Sequence, residues 1–398
     1  MKKHILAILS LATLPLAGCT ETNQIGNPLI EEMSDLLSKT MNIDYIFKET
    51  EVTLILDSDF ALGKYEPYEG VYLGAYMGNQ DISEQDFINS LETDLAFKVF
   101  HYTKPNSITP TEILKCIANK QTPYFKFLFS EKISDFYYLI GDMKRMFNIP
   151  IFLELYPLSG KEITDPQKYK DSYIETYNII KEHIPNTVFV YSVDYNNIED
   201  ALIFYPGDEY VDWIGLNLYM PKYENNIQID YNRLKTQLDV WYKSFQEKKP
   251  LMFSGLAISH YSSVDLTYTI AETMENLNFF YADMLKEYPR IKAILYTDVD
   301  NRDYGKEDDF RISINEDLTK LAKKLWNEDI FLHQLSDNTA EDQSSKIAYT
   351  VPAYIYNDIY YVQDIYVKNI IDSEILNTIE VFKDIEGNIY YPLEYLSN

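Results

Sequence analysis

Residues 211–219, VDWIGLNLY, set the architecture of this chain. Apolar residues occupy both parities of the run, the pattern of a strand buried on both faces. Outward from it the pattern repeats. A helix-period segment at 231–246 is followed by a second apolar run at 250–258 (PLMFSGLAI) and a helix at 271–287. A third run at 291–298 (IKAILYTD) precedes a helix at 315–327. Upstream lie strand-like runs at 71–77 (VYLGAYM), 96–102 (AFKVFHY), 124–129 (YFKFLF), 150–156 (PIFLELY) and 187–193 (TVFVYSV), with helical segments at 84–92, 110–118, 135–147 and 166–183. Eight short apolar strands, most followed by an amphipathic helix, predict an α/β protein with a closed (β/α)8 TIM barrel over residues 70–333. No glycine-rich phosphate loop follows any strand, which argues against an open nucleotide-binding sheet.

The two ends read differently. Lys2 and Lys3 precede an apolar run too short to span a bilayer, which ends at Leu16-Ala17-Gly18-Cys19. That pattern resembles a bacterial lipoprotein signal. The resemblance implies a signal peptide over residues 1–18, acylation of Cys19 and attachment to the extracytoplasmic face of the cell membrane. An ordinary signal peptide that happens to contain a cysteine is the alternative. Residues 19–69 read as a tether and N-terminal extension, with a helix around 29–41 and a strand at 51–58. Residues 334–346 (QLSDNTAEDQSSK) read as a linker, and 347–398 as a small β-rich domain with a turn at Glu386-Gly387-Asn388.

Composition narrows the partners. A net charge of −27 argues against nucleic acid and favours neutral or cationic ones. Cysteine occurs only at 19 and 116, so neither a disulfide framework nor a cysteine metal site is available within one chain. His101 and His260 have no second histidine at helical spacing. The acids at 300, 303 and 307–309 lack the spacing of a calcium loop, so neither a metal nor a cofactor is expected. The 36 tyrosines, against three tryptophans, suit half-buried walls with polar tips and also sugar-binding faces.

The barrel region resembles the family 26 glycoside hydrolases, the β-mannanase group. The residues that carry the resemblance are Leu73-Gly74-Ala75-Tyr76, the run from Tyr210 to Tyr219, Lys249-Pro250-Leu251-Met252, and Asp298 with Asp309-Phe310-Arg311. The family's retaining chemistry uses two carboxyl groups about 5–5.5 Å apart, an acid after strand four and a nucleophile on strand seven. Aligned on Gly160, this chain has Pro157 where the acid belongs, and Gly255 stands in the nucleophile's place. The resemblance therefore implies a barrel that has kept its shape and lost its reaction, and that binds a polysaccharide or an envelope protein.

Two alternatives stand beside that reading. One is a divergent glycosidase acting on a β-linked polysaccharide, using Glu154 with Asp298 or Asp300 as catalytic carboxyls. The other is a structural spacer whose tyrosine-rich tail makes the contacts. Tyr76, Tyr156 and Tyr219, at strand ends, are the candidate ligand-binding residues. Trp213 is expected to pack under a helix.

Overall fold

The computed structural model describes residues 48–78, 83–102, 108–128, 136–137, 139–141, 149–158, 164–224, 227–229, 231–336, 344–356, 358–384 and 387–396. The expected signal peptide, Cys19, the helix around 29–41 and the alignment anchor Gly160 lie outside them. The described residues form two compact units. The larger is Ile55–Tyr349, and the smaller joins residues up to Leu54 with those from Thr350 onward.

The larger unit is a closed parallel barrel. Its strands are β1 (Val71–Tyr76), β2 (Phe97–Tyr102), β3 (Thr122–Phe127), β4 (Ile151–Leu155), β5 (Thr187–Asp194), β6 (Trp213–Met220), β7 (Leu251–Ile258) and β8 (Ile291–Thr297). Each pairs in parallel with the next, and Ala293–Thr297 of β8 pair with Tyr72–Tyr76 of β1 to close the ring. Among the outer helices are α1 (Glu84–Leu91), α2 (Pro110–Ala118), α3 (Pro166–His183), α4 (Tyr231–Phe245), α5 (Ile270–Asn278) and α6 (Glu316–Trp326). Their starts are chemically marked. Thr109 and Glu112 form a capping box on α2 with Pro110 in its first turn, and Asp165 caps α3 ahead of Pro166.

Alternation along the strands sorts the side chains. Ile214, Leu216 and Leu218 of β6 face the helices, and Trp213 faces the interior. The barrel floor is a wedge of aromatic rings: Phe97 meets Tyr72 edge-on at 5.6 Å and Phe152 at 4.8 Å, and Phe152 meets Trp213 at 5.8 Å. Trp213 thus lies inside the barrel rather than under a helix. Its indole N–H donates to the carbonyl of Lys64 (2.7 Å), below the first strand.

The floor is closed by an ion pair. Arg290, just ahead of β8, and Glu66, just ahead of β1, are both almost fully buried; Nε and Nη2 of Arg290 donate to the two Glu66 oxygens at 3.2 and 3.3 Å. Arg290 Nη1 also donates to the carbonyl of Gln246, and Glu66 accepts from the Gly63 amide (2.7 Å) and from Ser345.

A second, five-stranded sheet has the order Lys48–Ala61, β9 (Ser344–Tyr356), β10 (Ile359–Gln363), β12 (Ile389–Pro392), β11 (Phe382–Lys383). Residues 344–346, read as the end of a linker, already belong to β9.

Removing one partner of a buried ion pair strands the other charge, at a cost of about 3–5 kcal/mol. Arg290→Ala is therefore expected to lower unfolding free energy by about that amount in denaturant titrations. A loss under about 1 kcal/mol would mean the floor is not closed by this pair.

Candidate functional site at the barrel mouth

Above the aromatic floor the interior turns polar. Glu154 on β4 is fully buried and points into the barrel, because the residues on either side of it, Leu153 and Leu155, face the helices. Its Oε1 accepts from Ser192 Oγ (2.6 Å), Asn217 Nδ2 (2.8 Å) and Ser254 Oγ (3.3 Å). Its Oε2 accepts from the Tyr124 hydroxyl (2.8 Å) and lies 3.2 Å from Lys126 Nζ. Lys126 is Glu154's register partner on β3 and donates also to Asn217 Oδ1 (2.6 Å). Burial, the largest single effect, would lower the Lys126 pKa, but the Glu154 charge and hydrogen bond together with Tyr219 and Asp194 outweigh it and hold the ammonium above its usual value.

The next layer up is the mouth. Between Phe253 and Gly255 the pairing of β7 with β6 slips by one residue, so Phe253 opposes Leu216 while Gly255 opposes Asn217. Such a bulge turns two consecutive residues, Ser254 and Gly255, toward the interior. A Cβ on Gly255 would lie 2.7 Å from Asn217 Oδ1, 2.8 Å from the Tyr219 hydroxyl and 3.2 Å from Lys126 Nζ. Tyr219 and Asn217 therefore close over the spot that a side chain at position 255 would occupy.

Two further features complete the mouth. Tyr76, ending β1, stacks its ring flat on the exposed His101 of β2, centroids 3.9 Å apart and planes within 4°. Burial raises the Tyr76 phenol to about 12, so it stays neutral. Asp194 ends β5; burial pushes its carboxyl up to about 7, with Lys126 opposing the shift and Glu154 adding to it.

The residues singled out in the sequence end up in different places. Tyr76 and Tyr219 reach the mouth. Tyr156 does not: it is buried among the helices, in the left-handed region (φ 53°), with its hydroxyl paired to Thr176 at 2.9 Å. The chain turns sharply after β4, which sends this ring outward instead of along the strand. Asp298 is buried; it accepts from the Ile312 and Ser313 amides (2.6 and 3.2 Å) and the Ser313 hydroxyl (2.5 Å), so it fastens the chain after β8. Asp300 and Asp309 share Arg302 and Arg311 in a four-membered ion network. The pairing of Glu154 with Asp298 or Asp300 thus meets three carboxylates already engaged by internal donors. His260 lies in the buried wall, its ring stacked near Tyr268.

Sequence reading passed over Lys126, Ser192, Asp194 and Asn217. One signal was available: Lys126 and Glu154 are lone opposite charges, each inside an otherwise apolar run, on successive strands.

Comparison with known proteins now gives this geometry its context. The sequence model of Glycosyl hydrolase family 26 matches residues 158–240. That segment begins just after Pro157 and ends before Gly255. None of the curated protein sequences matches the chain. Among solved structures, GH26C from Muricauda sp. MAR_2010_75 is similar, with TM-score 0.52 and 13% identity over 69% of this chain and 89% of that one. A modular endo-β-1,4-mannanase from Cellulomonas fimi has TM-score 0.50 and 14% identity, covering 69% and 74%. Bacteroides uniformis β-glucuronidase 2 has TM-score 0.50 and 11% identity, covering 76% of this chain and 46% of that one. At these identities the structural likeness is one of fold.

Two predictions follow from the interior network. Glu154→Leu alone leaves the Lys126 ammonium buried without its counter-charge and is expected to cost about 3–5 kcal/mol, whereas Glu154→Leu with Lys126→Met recovers most of it. Additive losses in a double-mutant cycle would contradict the coupling. Asp194 holds a proton in the folded state from about pH 4 to about 7 that the unfolded chain releases, so its contribution makes stability fall as pH rises through that window. Asp194→Asn is expected to flatten the fall, as read from unfolding midpoints across pH; an unchanged slope would place the titration elsewhere.

In sequence over residues 158–240 and in the fold of its barrel, this chain is similar to the family 26 glycoside hydrolases.

Proposed function

We propose that this barrel binds a neutral β-linked glycan at its mouth and does not cleave it, and that the protein is held on the extracytoplasmic membrane face by lipid on Cys19. The observation that carries the first part is Gly255. In the two-carboxylate retaining mechanism one carboxylate forms a covalent bond to the sugar, and the family resemblance puts that carboxylate on strand seven. Gly255 has no side chain, and the space its Cβ would occupy is bounded by Tyr219, Asn217 and Lys126. Glu154, the interior carboxylate beneath, has both oxygens engaged by donors.

Support for a sugar ligand comes from the Tyr76–His101 stack, a flat aromatic pair of the kind that receives the C–H face of a pyranose. The Tyr219 phenol interacts with Tyr76 and supplies a polar group beside it. The acidity of the whole chain favours a neutral glycan over an anionic one. For the membrane anchor, the support is the Leu16-Ala17-Gly18-Cys19 pattern behind a charged, apolar leader.

A hydrolytic reading has one observation in its favour. Asp194, with its carboxyl near 7, has the pKa that suits a general acid at neutral pH. Both readings meet in one experiment. Chain lacking residues 1–19 is titrated with mannan and β-glucan oligosaccharides by calorimetry, and the same mixtures are assayed for reducing ends. Binding without release is expected, with Tyr76→Ala weakening it about fivefold. Reducing-end release abolished by Asp194→Asn would replace this proposal with a working hydrolase. Metabolic labelling with palmitate, lost in Cys19→Ala, tests the anchor.

A further inference from the structure

The smaller unit carries a cleft of its own, of about 680 Å³, whose lining includes Tyr361, Phe382, Ile375, Tyr395, Glu380 and Glu394. That volume is in the range of a ligand site. The floor is firm: Tyr361 is buried and meets Phe382 edge-on, centroids 4.9 Å apart and planes at 81°. The rim is open, with Tyr395 55% and Ile375 42% exposed. Apolar rings and aliphatic side chains are thus left facing water next to two exposed carboxylates.

Charge selects the occupant. Among the described residues no lysine or arginine lines the cleft, and none forms an ion pair with Glu380 or Glu394. Residues 350–398 hold eight carboxylate side chains and two lysines. Both glutamates act on the Tyr395 phenol, Glu394 more strongly, and raise its pKa; the Glu394 charge also reaches Tyr361. The two charges therefore converge on Tyr395. A cation with an apolar stem satisfies all of these groups at once. Its methylenes cover the rings, and its ammonium sits by the ring faces and the carboxylates.

We propose that this cleft binds a basic, partly apolar peptide segment of a partner protein, with a lysine side chain lying along Tyr395 and its ammonium between Glu380 and Glu394. The site is separate from the glycan reading of the barrel and stands or falls without it.

The test is fluorescence anisotropy of a fluorescein-labelled Lys-Val-Lys-Val-Lys peptide titrated with the full-length chain. Saturable binding is expected. Joint Glu380→Gln and Glu394→Gln substitution should weaken it at least tenfold, and Tyr395→Ala about fivefold. Glu182→Gln with Glu272→Gln, which removes two exposed charges from the barrel helices, should leave it unchanged. Equal loss in that control pair would reduce the effect to general acidity and overturn the proposal. So would equal binding of the peptide with glutamine in place of lysine. Self-association in sedimentation that Tyr395→Ala abolishes would assign the cleft to a second copy of the chain instead. Glu380 and Glu394 are both exposed, so their exchange to glutamine leaves the fold intact.

Discussion

One buried carboxylate organises the interior of this barrel. Glu154 takes donors from Tyr124 and Lys126 on β3, Ser192 on β5, Asn217 on β6 and Ser254 on β7, so a single side chain of β4 ties together four neighbouring strands. In water these groups would be solvated individually. Inside the barrel each is acceptable only because the others are there, since an unpaired buried polar group or charge is heavily penalised. The net contribution of the ion pair to stability is small or even unfavourable against an apolar replacement. What it does is specify one arrangement of the strands.

That network also fixes what the mouth can do. Lys126 is held by Glu154 and Asn217, so its ammonium lies beside Gly255 instead of reaching solvent. The bulge in β7 turns Gly255 inward, and the Tyr219 hydroxyl and Asn217 lie where its Cβ would otherwise project. The barrel interior is a polar network satisfied by its own members under an aromatic rim. The charge left at the rim is Asp194, and its burial makes that charge conditional on pH.

Elsewhere, acids that look available in the sequence are neutralised by local geometry. Asp300 and Asp309 are forked by Arg302 and Arg311, and Asp298 is closed by two amides and a hydroxyl, so the acidic stretch after β8 is a clasp. The smaller unit behaves in the opposite way. Its Glu380 and Glu394 stay exposed beside open aromatic surface, and this asymmetry between two acidic regions separates a structural role from a receptive one.

The barrel was legible in the sequence because short apolar runs such as PLMFSGLAI and TVFVYSV, alternating with helix-period segments, have the pattern of strands covered on both sides. Pro157 and Gly255, the residues on which the expectation of a lost reaction rested, were legible as identities in the sequence. Side-chain direction was not. Tyr156 and Tyr76 both end apolar strands, yet a left-handed turn buries one among helices while the other reaches the rim. Trp213 lies inside the barrel because β6 starts on the inward parity, and Gly255 faces inward because β7 slips by one residue. Which lone charges meet depends on strand register across the closed ring, as with Lys126 and Glu154. Sequence alone determined the strands and the residue identities along them, Pro157 and Gly255 included. Only the tertiary structure decided where each remaining polar group points, because parity and register are set by packing between segments distant along the chain.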